Sequence, residues 1–154
     1  MPDDGPDWKE VRGVVVRGHR VASGLNPATP HPLGTIRLQI PHFARRGLDL
    51  TGWHPATINV SIAPRRFTLR APCYTFRNVA WTSLHPGEDF SFCRCRVVYG
   101  GEAVAGWVYT PHPDTKPDHV QPPDVLEIIT RYLDGLTYGV PLILRLPPTE
   151  ITVG

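Results

Sequence analysis

The sequence lacks the features that mark membrane and secreted proteins. No apolar stretch approaches the roughly 18 residues that a transmembrane helix needs, so we expect no membrane-spanning helix. The first ten residues, MPDDGPDWKE, are acidic and polar, which is the opposite of a secretory signal peptide. We therefore expect a cytoplasmic protein without membrane contact.

Cysteine is scarce, and Cys73, Cys93 and Cys95 are an odd number of thiols that do not suggest a disulfide framework. Cys93 and Cys95 are two residues apart, so they would point to one face of a strand. We predict buried free thiols. A C-x-C metal site is the alternative, although the sequence has no second cysteine pair to complete it.

Lysine is nearly absent, because every basic residue except Lys9 and Lys116 is an arginine. The formal net charge is only +2 and the arginines are scattered, without a basic run or the spacing of a zinc finger or helix-turn-helix. Nucleic acid is therefore not an expected partner. A few arginines around a phosphate-bearing ligand would account for the same charge.

Proline, by contrast, is abundant, at 18 of 154 residues, and glycine adds 14 more. Each proline inside a helix costs about 3 kcal/mol, so the chain cannot be mostly helical. Hydrophobic residues make up 41% and charged residues 19%, which leaves enough apolar surface for a core. We predict one strand-rich, monomeric domain over residues 10–154, preceded by a flexible tail at residues 1–9.

Apolar alternation and β-branched residues predict eight short strands joined by proline-rich loops. They cover residues 10–17, 35–40, 57–62, 67–70, 73–81, 90–99, 102–110 and 140–146. Gly100 and Gly101 form a two-residue hairpin turn. This pattern favours a mainly β protein built as a small closed β-barrel.

Two short helices complete the prediction, at residues 42–50 and 124–133. In the second helix, Asp124 suits the N-cap and Glu127 the third position of a capping box. This helix would cover one end or side of the barrel.

The stretch Pro55–Val60 (PATINV) carries the clearest chemistry. In a strand, Thr57 and Asn59 project to one face while Ile58 and Val60 anchor the other face in the core. A hydroxyl and an amide carbonyl are hard oxygen ligands suited to Mg²⁺. Both are neutral, so we expect metal binding mainly when nucleotide phosphates supply charge. The alternative is a half-exposed strand with ordinary polar residues on its outer face.

Two stretches are informative together: IRLQIPHFARRGLDLTGWHPATINVSI and, some 60 residues later, PPDVLEII. They resemble the archaeal-type CTP-dependent riboflavin kinase family. The likeness extends over roughly residues 11–146, with its specific part in these two stretches. It implies a six-stranded, cradle-loop-type barrel that moves a phosphoryl group from CTP to the ribityl hydroxyl of riboflavin, giving FMN. The family's Thr and Asn are Mg²⁺ ligands and fall here on Thr57 and Asn59.

The resemblance also implies a nucleotide-binding loop after the first strand. The family has a glycine-rich G-x-G-x-G loop there, whereas this chain has Gly18 and Gly24 as its only glycines in that region. Arg17 and Arg20 are candidates to contact phosphate with side chains instead. Glu127 or Asp124 is the candidate carboxylate that orients the acceptor hydroxyl. A non-catalytic flavin- or nucleotide-binding or interaction domain of the same fold is the alternative function.

Two further features have competing interpretations. His112, Asp114, Asp118 and His119 lie within eight residues and could bind a transition metal, or they are solvated turn residues of a proline-rich loop. Four aromatic residues could stack on a flat ring such as isoalloxazine, or they pack in the core as most aromatics do. These are Trp53, Trp81, Trp107 and Tyr109.

Overall fold

The computed structural model describes residues 7–17, 35–84, 86–114 and 123–154. Within these residues the chain forms nine strands and one helix. They are β1 (Lys9–Val16), α1 (Thr35–Arg45), β2 (Ile58–Ser61), β3 (Phe67–Leu69), β4 (Tyr74–Val79), β5 (Glu88–Tyr99), β6 (Glu102–Pro111), β7 (Val125–Thr130), β8 (Pro141–Leu146) and β9 (Ile151–Val153).

Six strands close into an antiparallel barrel. Their order is β5-β6-β7-β2-β1-β8, and β8 pairs with residues Arg96–Val98 of β5, which closes the ring of strands. The first half of β5 pairs with β4 instead, so one strand serves both the barrel and its extension. Strands β3 and β9 form a separate two-stranded sheet. The predicted mainly β fold, with a closed six-stranded barrel and a short helix, is confirmed.

The barrel interior is filled by alternate residues of its strands. Gly13 and Gly106 occupy inward positions, where a Cβ would lie 2.3 Å from Cγ1 of Val60 and 3.0 Å from Sγ of Cys95. Glycine at these two sites therefore makes room for the neighbouring core side chains. The other core residues include Val11, Val15, Val97, Val108, Leu126, Ile128, Leu142, Leu144 and Leu146.

Cys93 and Cys95 are buried in this interior as free thiols, as predicted. Burial raises the pKa of the Cys93 thiol to about 12, so it stays neutral in the folded protein. Cys73 is exposed, and the prediction of a buried thiol is wrong for this residue. It lies in the connection between β3 and β4, where no strand pleat turns it inward.

A second apolar cluster, called the outer cluster below, lies outside the barrel, between α1 and the outer faces of β4, β5, β6 and β7. Phe43 of α1 contacts the rings of Phe76, Phe90 and Phe92, with centroid separations of 5.8, 5.2 and 5.0 Å. Trp107 and Tyr109 are buried in the same cluster. The interpretation of these two aromatics as core residues is therefore confirmed.

The strand predicted at residues 35–40 is wrong, because these residues form the first half of α1. The buried residues of this helix are Ile36, Gln39 and Phe43, at spacings of three and four. That spacing gives one buried helical face. Pro41 is tolerated on the exposed side of the helix. The helix predicted at residues 42–50 is correct only as far as Arg45, where α1 ends.

The helix predicted at residues 124–133 is also wrong, because residues 125–130 form strand β7. Leu126 and Ile128 face the barrel core, whereas Ile129 faces the outer cluster. A strand buried on both faces has a nearly continuous apolar run, which resembles a helix in sequence. The predicted helix cap of Asp124 and Glu127 therefore does not exist.

The tail predicted at residues 1–9 is described only from residue 7. The guanidinium of Arg94 lies over the ring of Trp8, 5.5 Å from its centroid, and β1 begins at Lys9. Among the described residues, no helix is long and apolar enough to cross a membrane.

Candidate functional site

A row of polar side chains crosses three neighbouring barrel strands, β2, β7 and β6. Asn59 is directly opposite Glu127 in the β2–β7 pair, and Glu127 is directly opposite Tyr109 in the β7–β6 pair. Opposite residues of antiparallel strands share a face, so all three project outward from the barrel. Thr57, just before β2, joins them, and its Oγ1 donates a hydrogen bond to Oε1 of Glu127 at 3.5 Å.

The face predicted for Thr57 and Asn59 is the one observed. Val60 is 1% exposed in the barrel core, and Ile58 packs against that core, so the alternate positions point outward. Thr57, Asn59 and Glu127 are each half-buried. A ligand at the surface can therefore reach them while the strand ladder holds their backbones in place.

These three side chains offer a hydroxyl, an amide carbonyl and one carboxylate, which are hard oxygen ligands. Among the residues that the structure describes, no group of three or more His, Cys, Asp or Glu side chains could hold a metal ion. Glu127 supplies the single formal charge of this set. The neutral pair Thr57 and Asn59, with one carboxylate beside it, therefore fits a Mg²⁺ ion whose remaining ligands are phosphate oxygens and water. It does not suit a metal ion that the protein alone must hold.

Tyr109 links this polar row to helix α1. Its hydroxyl donates a hydrogen bond to Oε1 of Gln39 at 2.8 Å, and both residues are buried. Desolvation raises the pKa of Tyr109 well above its usual value, and the carboxylates of Glu127 and Glu88 raise it further. Tyr109 is therefore a neutral hydroxyl throughout the physiological pH range.

Glu88, at the start of β5, is a second carboxylate whose charge acts on Tyr109, and it is buried at 3% exposure. Nε1 of Trp81 donates a hydrogen bond to its Oε2 at 2.7 Å. Trp81 and Trp53 are partly buried, and both tryptophans pack against the outer cluster.

Asp124 lies apart from the polar row. Its carbonyl oxygen accepts a hydrogen bond from the backbone N–H of Ile62, at the far end of β2 from Thr57. Asp124 comes three positions before Glu127, a distance of about 10 Å in extended chain. The structure therefore groups Glu127, and not Asp124, with Thr57 and Asn59.

Arg17 follows directly after β1, next to Val16, the cross-strand neighbour of Asn59. Its guanidinium lies over the ring of Tyr138, 4.5 Å from the centroid. Arg17 is exposed at the barrel end where β2 begins. The other predicted nucleotide-binding residues, Gly18, Arg20 and Gly24, lie outside the described residues.

The alternative histidine cluster is described only in part, since Asp118 and His119 also lie outside the described residues. Nε2 of His112 and Oγ of Ser91 are 2.7 Å apart, and Oγ of Ser91 is in turn 2.9 Å from Oγ1 of Thr75. His112 is thus held in a hydrogen-bonded side-chain network between β4, β5 and the end of β6. Asp114 is exposed in the following turn.

Sequence reasoning missed Gln39, because it was placed on the polar face of a strand. The signal was present: helical spacing puts Gln39 on the same face as Ile36 and Phe43, and a polar residue on a buried face needs a partner. For Tyr109 the sequence indicated only an aromatic residue that either packs in the core or stacks on a flat ring. Its cross-strand position opposite Glu127 depends on β7 being a strand.

In comparisons with known proteins, no family model matches this sequence. A search of curated proteins likewise finds no significant match.

Proposed function

We propose that the protein is a riboflavin-kinase-like phosphotransferase that uses CTP and Mg²⁺ to convert riboflavin to FMN. The proposal rests on one observation above all: Thr57, Asn59 and Glu127 converge on one face of neighbouring strands. They lie in the two stretches that resemble CTP-dependent riboflavin kinases. We further propose that it works as a cytoplasmic monomer.

In this proposal the chain's own residues bind the ligands and manage one proton. Glu127 accepts the proton of the ribityl hydroxyl as that oxygen bonds to the γ-phosphorus of CTP. The bond from the γ-phosphorus to the β–γ bridging oxygen breaks, and CDP leaves with that electron pair. The hydroxyl of Thr57 hydrogen-bonds the carboxylate and orients it.

Thr57 and Asn59 would hold the Mg²⁺ ion, whose chemistry is to neutralise phosphate charge. Arg17 stands one residue beyond the cross-strand neighbour of Asn59, where its guanidinium can meet the triphosphate. We also assign nucleotide binding to Gly18, Arg20 and Gly24, which lie outside the described residues.

Turnover is the first test. Purified protein is incubated with riboflavin, Mg²⁺ and either CTP or ATP, and FMN is measured by chromatography. We expect FMN with CTP and none when Mg²⁺ is chelated. No FMN with either nucleotide, together with no CTP binding in calorimetry, would refute the proposal.

The metal ligands are tested by Asn59→Asp. A second carboxylate beside Glu127 raises the affinity for Mg²⁺, so Mg²⁺-dependent CTP binding should change in calorimetry. The same titration without Mg²⁺ is the control. An unaltered Mg²⁺ dependence would mean that Thr57 and Asn59 are only structural residues of β2.

A non-catalytic ligand-binding domain is the second candidate, and one observation favours it. Between Gly18 and Gly24 this chain carries side chains where the resembled family has a glycine-rich phosphate loop, and Ala56 replaces the glycine of its metal-binding motif. CTP or riboflavin binding without FMN formation would select this candidate.

A further inference from the structure

The connection from β7 to β8, residues 131–140, closes the end of the barrel beside the candidate site. Leu133 is buried in the barrel core, and Leu136 packs against it. Two tyrosines of the same connection point away from that core: Tyr132 is 63% exposed and Tyr138 is 48% exposed. Two large aromatic side chains therefore stand in solvent at this end of the barrel.

Tyr132 is held in place although it is exposed. The rings of His54 and Tyr132 are in contact and nearly perpendicular, with a centroid separation of 5.3 Å and an interplanar angle of 71°. The backbone N–H of His54 donates a hydrogen bond to the carbonyl of Thr130 at 3.0 Å. The Tyr132–His54 pair is thus fixed to the end of β7 on one side and to the segment leading into β2 on the other.

This pair adjoins the polar row on both strands. His54 comes three residues before Thr57, and the end of β7 at Thr130 is three residues after Glu127. Three strand residues span about 10 Å, which is comparable to a ribityl chain plus part of its ring. A flavin with its terminal hydroxyl at Glu127 would therefore place its ring near Tyr132.

The opposite side of the same barrel end has a different character. Arg17 lies over Tyr138 there, beside β1 and β8, so a cation is present on that side. The arginine beside Tyr132, Arg131, pairs with Glu102 at 2.6 Å. The triphosphate is therefore best placed near Arg17, which leaves the Tyr132 side for the uncharged ring of the acceptor.

We propose that Tyr132, held in place by His54, is the stacking surface for the flat heteroaromatic ring of the phosphoryl acceptor, a flavin. This inference rests on the proposed function and names the ring-binding residue of that site. The exposed ring of Tyr132 can bind such a ligand, because every flat heteroaromatic ring has a π-face to stack.

Riboflavin binding is measured by the quenching of flavin fluorescence, for the unmodified protein and three variants. Tyr132→Ala removes the ring, Tyr132→Phe keeps it, and Leu84→Ala alters an equally exposed apolar side chain in the β4–β5 connection. We expect Tyr132→Ala to weaken riboflavin binding about tenfold or more. Tyr132→Phe and Leu84→Ala should bind riboflavin like the unmodified protein, and Mg²⁺-dependent CTP binding should be the same in all four.

Three outcomes overturn the inference. If Tyr132→Ala binds riboflavin with unchanged affinity, Tyr132 is not the stacking surface. The proposed function still stands in that case if FMN forms. Weaker CTP binding with unchanged riboflavin binding would assign the surface to the nucleotide base. If the unmodified protein binds no riboflavin, both this inference and the proposed acceptor are wrong.

Discussion

Tyr109 is the residue through which helix α1 reaches the candidate site. Its ring lies in the outer cluster, its hydroxyl bonds to Gln39 of the helix, and its cross-strand neighbour is Glu127. The Tyr109 hydroxyl, which stays neutral beside the carboxylate of Glu127, donates to the buried side-chain carbonyl of Gln39. The bond is therefore made without burying a further charge. We therefore expect this hydroxyl to hold the helix in its position over β6 and β7.

Tyr109→Phe tests this contact. The variant leaves the buried Oε1 of Gln39 without its donor, which should lower the free energy of unfolding by about 1–3 kcal/mol. Tyr74→Phe is the matched control, because the Tyr74 hydroxyl makes no hydrogen bond to the described residues while its ring packs in the same cluster. Urea unfolding compares the two variants, and equal losses would contradict the role of the bond.

The buried thiols make stability fall at alkaline pH. The Cys93 thiol ionises near pH 9.0 in the unfolded chain but only near pH 12 when folded, because burial disfavours the thiolate. Its contribution is complete below pH 9.0 and is lost as the pH rises toward 12. Each such thiol should lower the free energy of unfolding by about 1.4 kcal/mol per pH unit in this window.

Urea unfolding at several pH values between 8 and 11 measures this slope. Cys93→Ala should show a shallower decline than the unmodified protein, whereas Cys73→Ala, which alters an exposed thiol, should change the slope much less. Identical slopes in all three proteins would contradict the predicted ionisation of Cys93.

Single residues of the site were predictable where the strand pleat alone decides their direction. Thr57 and Asn59 share a face because they are two residues apart, whatever lies beside β2. Gln39 and Tyr109 were not predictable in the same way. Their meeting depends on which outer face of the barrel the helix covers, and the local sequence does not encode that.

At the scale of elements, the sequence patterns predict a helix where the structure has strand β7, and a strand where it has the first half of helix α1. β7 is buried on both faces, so its apolar residues do not alternate, and the run also fits a helical face. In α1, residues Ile36, Leu38 and Ile40 alternate by chance, although Leu38 is 40% exposed. Tertiary burial decided both cases, whereas the strands with one polar face were predicted correctly.

The short strand β9 was not predicted, and a buried ion pair holds the connection that leads into it. Glu150 is 5% exposed, and its Oε2 accepts a hydrogen bond from Nε of Arg94 at 2.5 Å. Its Oε1 accepts another from the backbone N–H of Arg94 at 2.9 Å. This carboxylate thus fixes the start of β9 against the middle of β5.

Glu150→Ala should therefore destabilise the protein by about 3 kcal/mol or more, since it leaves the partly buried Arg94 guanidinium without its partner. Glu10→Ala is the matched control, because Glu10 and Arg145 form an exposed ion pair at 3.0 Å. That control should cost less than about 1 kcal/mol. If thermal or urea unfolding showed similar losses of unfolding free energy in the two variants, burial would not explain the contribution of the Glu150–Arg94 pair.

At the scale of the whole molecule, the barrel was predictable because proline and glycine break the chain into short strands with inward apolar residues. The outer cluster was not, because it unites α1 with strands β4 to β7, and β2 and β3 lie between the helix and these strands in the sequence. This second core places a rigid wall beside the polar row of Thr57, Asn59 and Glu127. The barrel and the outer cluster together hold the half-buried carboxylate of Glu127 at the surface in a fixed orientation.

The central claim is that this carboxylate takes the acceptor proton in phosphoryl transfer, and Glu127→Gln tests it most directly. FMN formation from riboflavin and Mg²⁺-CTP is measured at saturating substrates, with CTP affinity measured in parallel. We predict that the variant retains CTP binding but forms FMN about 10²-fold more slowly or worse, because glutamine cannot accept the proton. FMN formation at the unmodified rate by the Glu127→Gln variant would contradict the account.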